Sequence, residues 1–300
     1  MKLNLIERNK LDVERWNGLV SATPNVSFFS FAWYLDEVAE QWCVFVDDNY
    51  TSGIAIPYTV RFRKKIAYTP IFASYMEVVG NRELDKNQLK SQLIAHFPII
   101  ELCLKTNALG VPTQQYVTQL IPADEAQQLS SQAKRMLKKA RAKGLEIRTS
   151  TDFESIFRWV EQELKGKFTG MTDESLPRLK QLFTQSEQRG QLIAFEVWKD
   201  AKCGGGIVCL ENEGQLFYLK GACGEEAKKN GGMYLALQRA IETAQSKGKL
   251  FDFGGSRVDG VQAFNKNLGG MDLFYNFYKI DNSPFWFKWL RMINSRIKNR

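Results

Sequence analysis

Asp252 lies between Phe251 and Phe253 at the end of an apolar run, followed by Gly254-Gly255-Ser256, Arg257 and, further on, Lys266. A carboxylate beside a glycine turn can take a proton from an amine or anchor it, while Lys and Arg can hold a phosphate, a carboxylate or a developing oxyanion. Each residue also has a plainer reading. Asp252 can accept the backbone N–H groups of the turn that follows it, and Lys266 can be an exposed helical lysine. Arg257 can be a surface arginine. Upstream, Tyr218 and Lys220 alternate on one strand, and strict alternation places both on one face, where they either line a cleft or leave Tyr218 in the core. The stretch FDFGGSRVDGVQAFNKNLGG lacks the G-x-G-x-x-G spacing and is not followed at once by a long periodic helix, so it does not read as a dinucleotide cradle.

Several chemistries are narrowed by count. His96 is the single histidine, which excludes His-based zinc sites, and its setting IAHFPI reads as packing; no metal is expected. The five cysteines are scattered without a C-x-x-C pair and read as reduced core thiols. The N-terminus has no apolar signal core, and no stretch reaches the length of a membrane span, so a cytoplasmic protein is expected. The net charge of +8 is concentrated: residues 126–148 hold seven Lys/Arg against one Glu, and residues 284–300 hold five against none. Clustered positive charge draws nucleic acid, phosphates or anionic lipid to one face.

The elements that must position these groups occur twice. Residues 41–74 read as three strands in a meander, and so do 192–224; each meander follows two helical segments and precedes a further helix and strand. The composition and this repeat predict an α/β (α+β) fold of two tandem domains with mixed, mostly antiparallel sheets flanked by helices. The boundary falls near LIPADEAQQL, with Asp124 as the cap of the next helix, giving domains 1–123 and 124–300. In that helix Leu129, Ala133, Met136, Leu137 and Ala140 share one arc, while Lys134, Arg135, Lys138, Lys139 and Arg141 fill the other. Such a stripe either binds an anion or is a solvated face. Arg61, Arg63, Lys64 and Lys65 form a second basic run, read as a hairpin turn or a pyrophosphate holder. Residues 285–300 are amphipathic, with Phe285, Trp286, Trp289, Leu290, Met292, Ile293 and Ile297 on one side. They either cover a sheet or lie in a membrane interface.

These motifs resemble the Fem-type peptidoglycan aminoacyltransferases and their relatives among the GNAT-like acyltransferases. SSQAKRMLKKARAKGLEIR resembles the family's basic helix entering the second domain, GGMYLALQRAIETAQSKGKLFDFGGS its long helix and Asp-Phe-Gly strand, and FNKNLGG its Phe-Lys-x-x-Phe-Gly element. The resemblance covers most of the chain and implies two tandem GNAT-like domains. It also implies transfer of an acyl or aminoacyl group, from acyl-CoA or aminoacyl-tRNA as co-substrate with no bound cofactor, to an amine acceptor such as a lipid-linked cell-wall or glycan-like precursor.

On that basis Asp252, Lys266 and Tyr218 are the catalytic candidates. Lys220, Lys228, Gly231, Gly232, Gly254, Gly255, Ser256, Arg257 and Phe264 are the donor- and substrate-binding candidates. Lys134, Arg135, Lys138, Lys139 and Arg141 form a basic face suited to an anion, and residues 284–300 would give peripheral contact with the inner membrane surface. The sequence departs from the family pattern at three places. Met233 stands where a pyrophosphate loop needs a small residue, Asn265 where the family often has its lysine, and Leu268 where it has a second aromatic. Two other function classes fit the same charge pattern: a non-catalytic tRNA- or nucleic-acid-binding protein, and a membrane-surface adaptor.

Overall fold

A computed structural model describes residues 3–82, 84–167, 175–255 and 257–285. The chain forms two compact units. One holds the described residues up to Tyr116 together with those from Phe274 onward, and the other is Val117–Leu273.

The first unit runs β1 (Leu3–Glu7), α1 (Val13–Ser21), α2 (Ala32–Val38), β2 (Gln41–Asp47), β3 (Ser52–Arg61), β4 (Lys64–Tyr68), β5 (Val78–Gly80), α3 (Lys86–His96) and β6 (Ile99–Leu104). Its sheet pairs β1 to β2, β2 to β3 and β3 to β4 antiparallel, and β4 to β6 parallel. The hairpin between β3 and β4 turns on Phe62 and Arg63, both at positive φ, as a two-residue turn matched to strand twist requires. The basic run there is partly consumed locally: Lys65 pairs with Glu7 at 2.5 Å and Arg61 with Glu40 at 3.0 Å. Trp16, Phe28, Phe29, Tyr34, Phe45 and Phe97 fill the core. His96 ends α3 on the exposed side, 5.9 Å from the Phe45 ring.

After β7 (Gln114–Ile121), the second unit repeats the plan: α4 (Ser131–Ala142), β8 (Glu146–Ser150), α5 (Glu154–Lys167), α6 (Ser175–Gln188), β9 (Leu192–Lys199), β10 (Lys202–Glu211), β11 (Gln215–Cys223), a short α7 (Glu225–Lys229), α8 (Gly232–Ser246), β12 (Leu250–Asp252) and α9 (Asp259–Asn267). The order β8-β9-β10-β11 is antiparallel, and β12 joins β11 in parallel. The β9–β10 turn again uses two positive-φ residues, Asp200 and Ala201. Apolar residues of α8 and α4, among them Leu237, Ile241, Ala133 and Leu137, pack with Phe195, Ile207, Cys209 and Phe251 of the sheet.

The last strand of each sheet comes from the other half of the sequence. Leu120 and Ile121 of β7 pair with Asp252 and Phe251 in the second unit, whereas Asn276–Asp281 of β13 (Met271–Asp281) pair with β6 in the first. The division therefore departs from a simple cut at 123/124, because residues from 274 onward group with the first unit. The cap of α4 is also displaced. The Ser130 side chain, not that of Asp124, accepts from Ala133 N at 3.1 Å, and the helix starts only at Ser131. Among the described residues no helix is long and apolar enough to cross a membrane.

Candidate functional site

The site is built around β11. Its ladder with β10 matches Gly221 to Ile207 and Lys220 to Val208, then Tyr218 to Cys209, so Leu219 has no counterpart. One extra residue on one strand is a β-bulge, and it breaks the two-residue alternation of side chains. Cross-strand partners share a face, and Val208 and Cys209 are consecutive residues of an extended strand. Tyr218 therefore lies with Cys209 on the core face beneath α8, while Lys220 lies with Val208 on the face toward α5. Strict alternation had placed them together; the bulge separates them.

On the α5 side Glu163, which sequence reasoning did not single out, adds its charge to a neighbourhood dominated by burial. Burial lowers the Lys220 pKa from the ordinary lysine value, against the opposing pull of Glu163. On the opposite, α8 face burial pushes the Cys223 thiol up to about 12, with Cys203 and Glu163 adding to it, and also raises the Tyr218 hydroxyl, with Cys209, Cys223 and Glu163 contributing. Lys228 of α7 stands 4.0 Å from the same carboxylate. A glutamate on a helix face carries no sequence signal that separates it from a solvated one; its spacing of four from Trp159 is the only trace.

On its other edge β11 pairs with β12 through Gln215–Leu250, Leu216–Phe251 and Phe217–Asp252, and residues 218–223 extend past that ladder. At this end Asp252 is buried, and its Oδ1 accepts Gly254 N at 2.8 Å, which realises the plainer of its two readings. Gly254 and Gly255 both have positive φ, 78° and 77°. At Gly254 a Cβ would also stand 2.4 Å from the Tyr218 carbonyl oxygen. Arg257 is exposed, and Ser256 lies outside the described residues.

The remaining candidates lie elsewhere in the second unit. Lys266 Nζ meets Asp272 Oδ2 at 2.7 Å. Burial works to raise the Asp272 carboxyl, but hydrogen bonds from Lys266 and Gln119 outweigh it and hold the group below its ordinary range. Asn265 is buried and donates to Gln119 Oε1 at 3.1 Å, and Gln119 donates in turn to Asp272 at 3.0 Å. An amide fits this buried place without the desolvation penalty of an ammonium. Leu268 is fully buried in the core, and the Phe264 ring sits 4.5 Å from that of Tyr234.

The start of α8 is packed rather than open. Gly231 has φ +90°, and a Cβ there would stand 2.6 Å from the carbonyl oxygen of Met136 on α4; a Cβ on Gly232 would stand 2.9 Å from Ala227 O. Lys139 donates to Lys229 O at 2.8 Å, tying α4 to the end of α7. Lys134, Arg135, Lys138 and Arg141 remain exposed and, among the described residues, make no ion pair. Of residues 284–300, expected to give membrane contact, residues 286–300 lie outside the described residues.

This order of elements can be compared with known proteins. Residues 127–264 match the acetyltransferase (GNAT) domain family. That match lies within the second unit and spans just under half of the chain. Among solved structures, FemX is 12% identical, covers 90% of this chain and 96% of its own, and superposes with a TM-score of 0.62. The C-terminal domain of a putative lysylphosphatidylglycerol synthetase from Agrobacterium fabrum is 11% identical over 95% of this chain and 96% of its own, with a TM-score of 0.54. A tandem GNAT protein from the clavulanic acid biosynthesis pathway is 12% identical over 94% and 99%, with a TM-score of 0.50. No curated protein sequence matches the chain significantly. The chain thus carries a tandem GNAT-like fold, shared with FemX and with the tandem GNAT protein. Within the matched segment, β11 is the last strand of the meander, ahead of α7 and the long helix α8.

Proposed function

We propose that the protein transfers an aminoacyl group from aminoacyl-tRNA to the amine of a cell-wall or lipid-linked precursor, with the reaction centre along the bulged end of β11. The observation that carries this reading is the bulge at Leu219 on a strand that runs past its ladder with β12 inside the GNAT-matched segment. Main-chain amides there are suited to receive the oxyanion that forms when an amine attacks the donor carbonyl. Deprotonating an alkyl amine at pH 7 costs roughly 4 to 5 kcal/mol, so the reaction needs a base. Glu163 is that base in this reading. Lys220 and Lys228, both under its field, orient the anionic parts of donor or acceptor. Asp252 shapes the turn beneath the centre, and Tyr218 supports it from the core side.

The choice of donor rests on α4. Its packing against Gly231 leaves the start of α8 poorly suited to a pyrophosphate, whereas four exposed cations on the same helix suit a polyanion. The choice of a cell-wall acceptor is supported by the fold shared with FemX; the putative lysylphosphatidylglycerol synthetase shares the fold too, but the lipid in its name offers a hydroxyl rather than an amine.

The test offers tRNA charged with labelled amino acids and, separately, labelled acetyl-CoA, each with muropeptide precursors, phosphatidylethanolamine and simple amines. Transfer from charged tRNA is expected. Transfer from acetyl-CoA alone would overturn the donor, and no transfer from either would overturn the enzyme. A second reading, a tRNA-binding protein without catalysis, is favoured by the unpaired stripe of α4 and would be supported by salt-sensitive tRNA binding in the absence of any transfer.

A further inference from the structure

Beside the β11 centre, but separate from it, the second unit holds a cavity of about 360 Å³ lined by Trp159 of α5, Trp198 and Lys199 of the β9 end, Lys202 and Cys203 of β10, and Glu225 of α7, among others. The acyl-transfer reading makes no use of it. Its volume is at the small end of ligand sites, enough for one ring rather than an extended chain.

Both indoles are held in place. Trp198 Nε1 donates to Glu196 at 2.9 Å, Glu196 also accepts the Ser155 hydroxyl, and the Arg148 guanidinium lies 4.2 Å from the Trp198 ring centroid. The Trp159 ring lies over Gly224 so closely that a Cβ there would stand 2.6 Å from Cη2. Among the described residues the Trp159 indole N–H donates no hydrogen bond, which leaves a donor available to a ligand.

The charges around the cavity are nearly balanced. Lys199 pairs with Glu226 at 2.8 Å, leaving Asp200, Lys202 and Glu225 on the wall. A phosphate-bearing ligand would want a surplus of cations, and a cationic ligand would compete with Arg148 for Trp198. Two fixed indoles with one spare N–H, ringed by alternating charged hydrogen-bonding groups, match a ring with an apolar C–H face and hydroxyls at its edge.

We propose that this two-tryptophan cavity binds a neutral pyranose ring, stacked on an indole and hydrogen-bonded at its edge by Trp159 Nε1–H, Lys202 and Glu225. The proposal stands apart from acyl transfer, and its test does not use activity. The full chain, labelled with ¹⁵N at tryptophan, is titrated with methyl β-glucoside, N-acetylglucosamine and a chitin tetramer while the indole N–H resonances are followed. Trp159→Phe and Trp198→Phe assign the two peaks. Saturable shifts of the Trp159 and Trp198 peaks, with affinity in the millimolar range, are expected. A stronger response to the tetramer places the ring within a glycan, and an equal response places it as a single sugar. Tetramethylammonium and AMP are the controls. The proposal is overturned if sugars produce no saturable shift at concentrations that fill a millimolar site, or if either control shifts the same peaks at lower concentration. Gly224→Ala, which pushes on the Trp159 ring, should weaken sugar binding at least tenfold while the Trp198 peak keeps its position; unchanged binding in that variant also counts against the site.

Discussion

Gly254 lies against the carbonyl oxygen of Tyr218, leaving no room for a side chain: a Cβ would come within 2.4 Å, and φ is +78°. Gly254→Ala must therefore both adopt a left-handed backbone, at a cost of about 1 kcal/mol, and displace the edge of β11. The expected result is a loss of about 2 kcal/mol or more in urea denaturation, together with loss of transfer. A variant as stable as the parent would show that β12 and β11 do not approach in this way.

Glu163→Gln keeps the size of the side chain and removes its charge. If Glu163 accepts the amine proton, transfer at neutral pH should fall about 10²- to 10⁴-fold with little change in the KM of the tRNA donor, and the loss should shrink as pH rises toward the amine pKa. The same substitution removes the charge that supports the Lys220 ammonium, so the Lys220 pKa should drop further, as read by NMR of its Cε. A rate loss that is flat with pH would assign Glu163 a structural role instead.

Lys220 carries a pH-dependent penalty whose sign follows from its lowered pKa. Between its folded and unfolded pKa values the unfolded chain binds more protons than the folded one, so stability rises with pH across that window. Below the folded value the penalty is fully present. Lys220→Met should therefore be more stable than the parent at neutral pH, and the difference should fade as pH approaches the ordinary lysine value. Denaturation midpoints at a series of pH values measure this, and a constant difference would contradict it.

Much of the architecture is legible in the sequence, and the part that is not has a common cause. The two meanders, the long helix of residues 232–246 and the two faces of α4 follow from side-chain period, which is local. The bulge at Leu219 is a property of the register between two strands, and alternation within β11 alone puts Tyr218 and Lys220 on the wrong footing. The exchange of β7 and β13 between sheets is equally non-local. Lys266 looked available because its partner Asp272 follows a glycine turn, where the geometry of approach is not set by helix spacing. Ser130 outcompeted Asp124 as a cap because the residues between them do not enter the helix. Glu163 was invisible for a different reason: a carboxylate on an amphipathic helix becomes informative only once the strand beneath it is known.

Lys266 and Asp272 form a partly exposed pair, for which exposed ion pairs suggest a contribution of about 1 kcal/mol or less. Lys266→Met should release Asp272 toward its ordinary pKa. The stability that the pair contributes is present above the unfolded carboxylate pKa and is lost as pH falls through the folded one. Parent and variant should therefore differ slightly at pH 7 and converge in acid. Transfer should stay within about twofold, because the ammonium is engaged away from β11. A loss of 10²-fold or more in kcat, with KM and stability unchanged, would return Lys266 to the reacting atoms.

Asn265 stands where the resemblance to Fem-type enzymes leads one to expect lysine, and it is 1% exposed. Asn265→Lys would bury an ammonium beside Gln119 and remove the 3.1 Å amide bond between them. The expected cost is about 2 kcal/mol or more at pH 7, shrinking as the pH is raised and the buried amine deprotonates. Pairing it with Gln119→Glu supplies a carboxylate and should recover part of the loss; the measurement is a double-mutant cycle in urea. If Asn265→Lys is as stable as the parent at neutral pH, the side chain at 265 reaches solvent, and the reason for the asparagine lies in the chemistry of the site rather than in its packing.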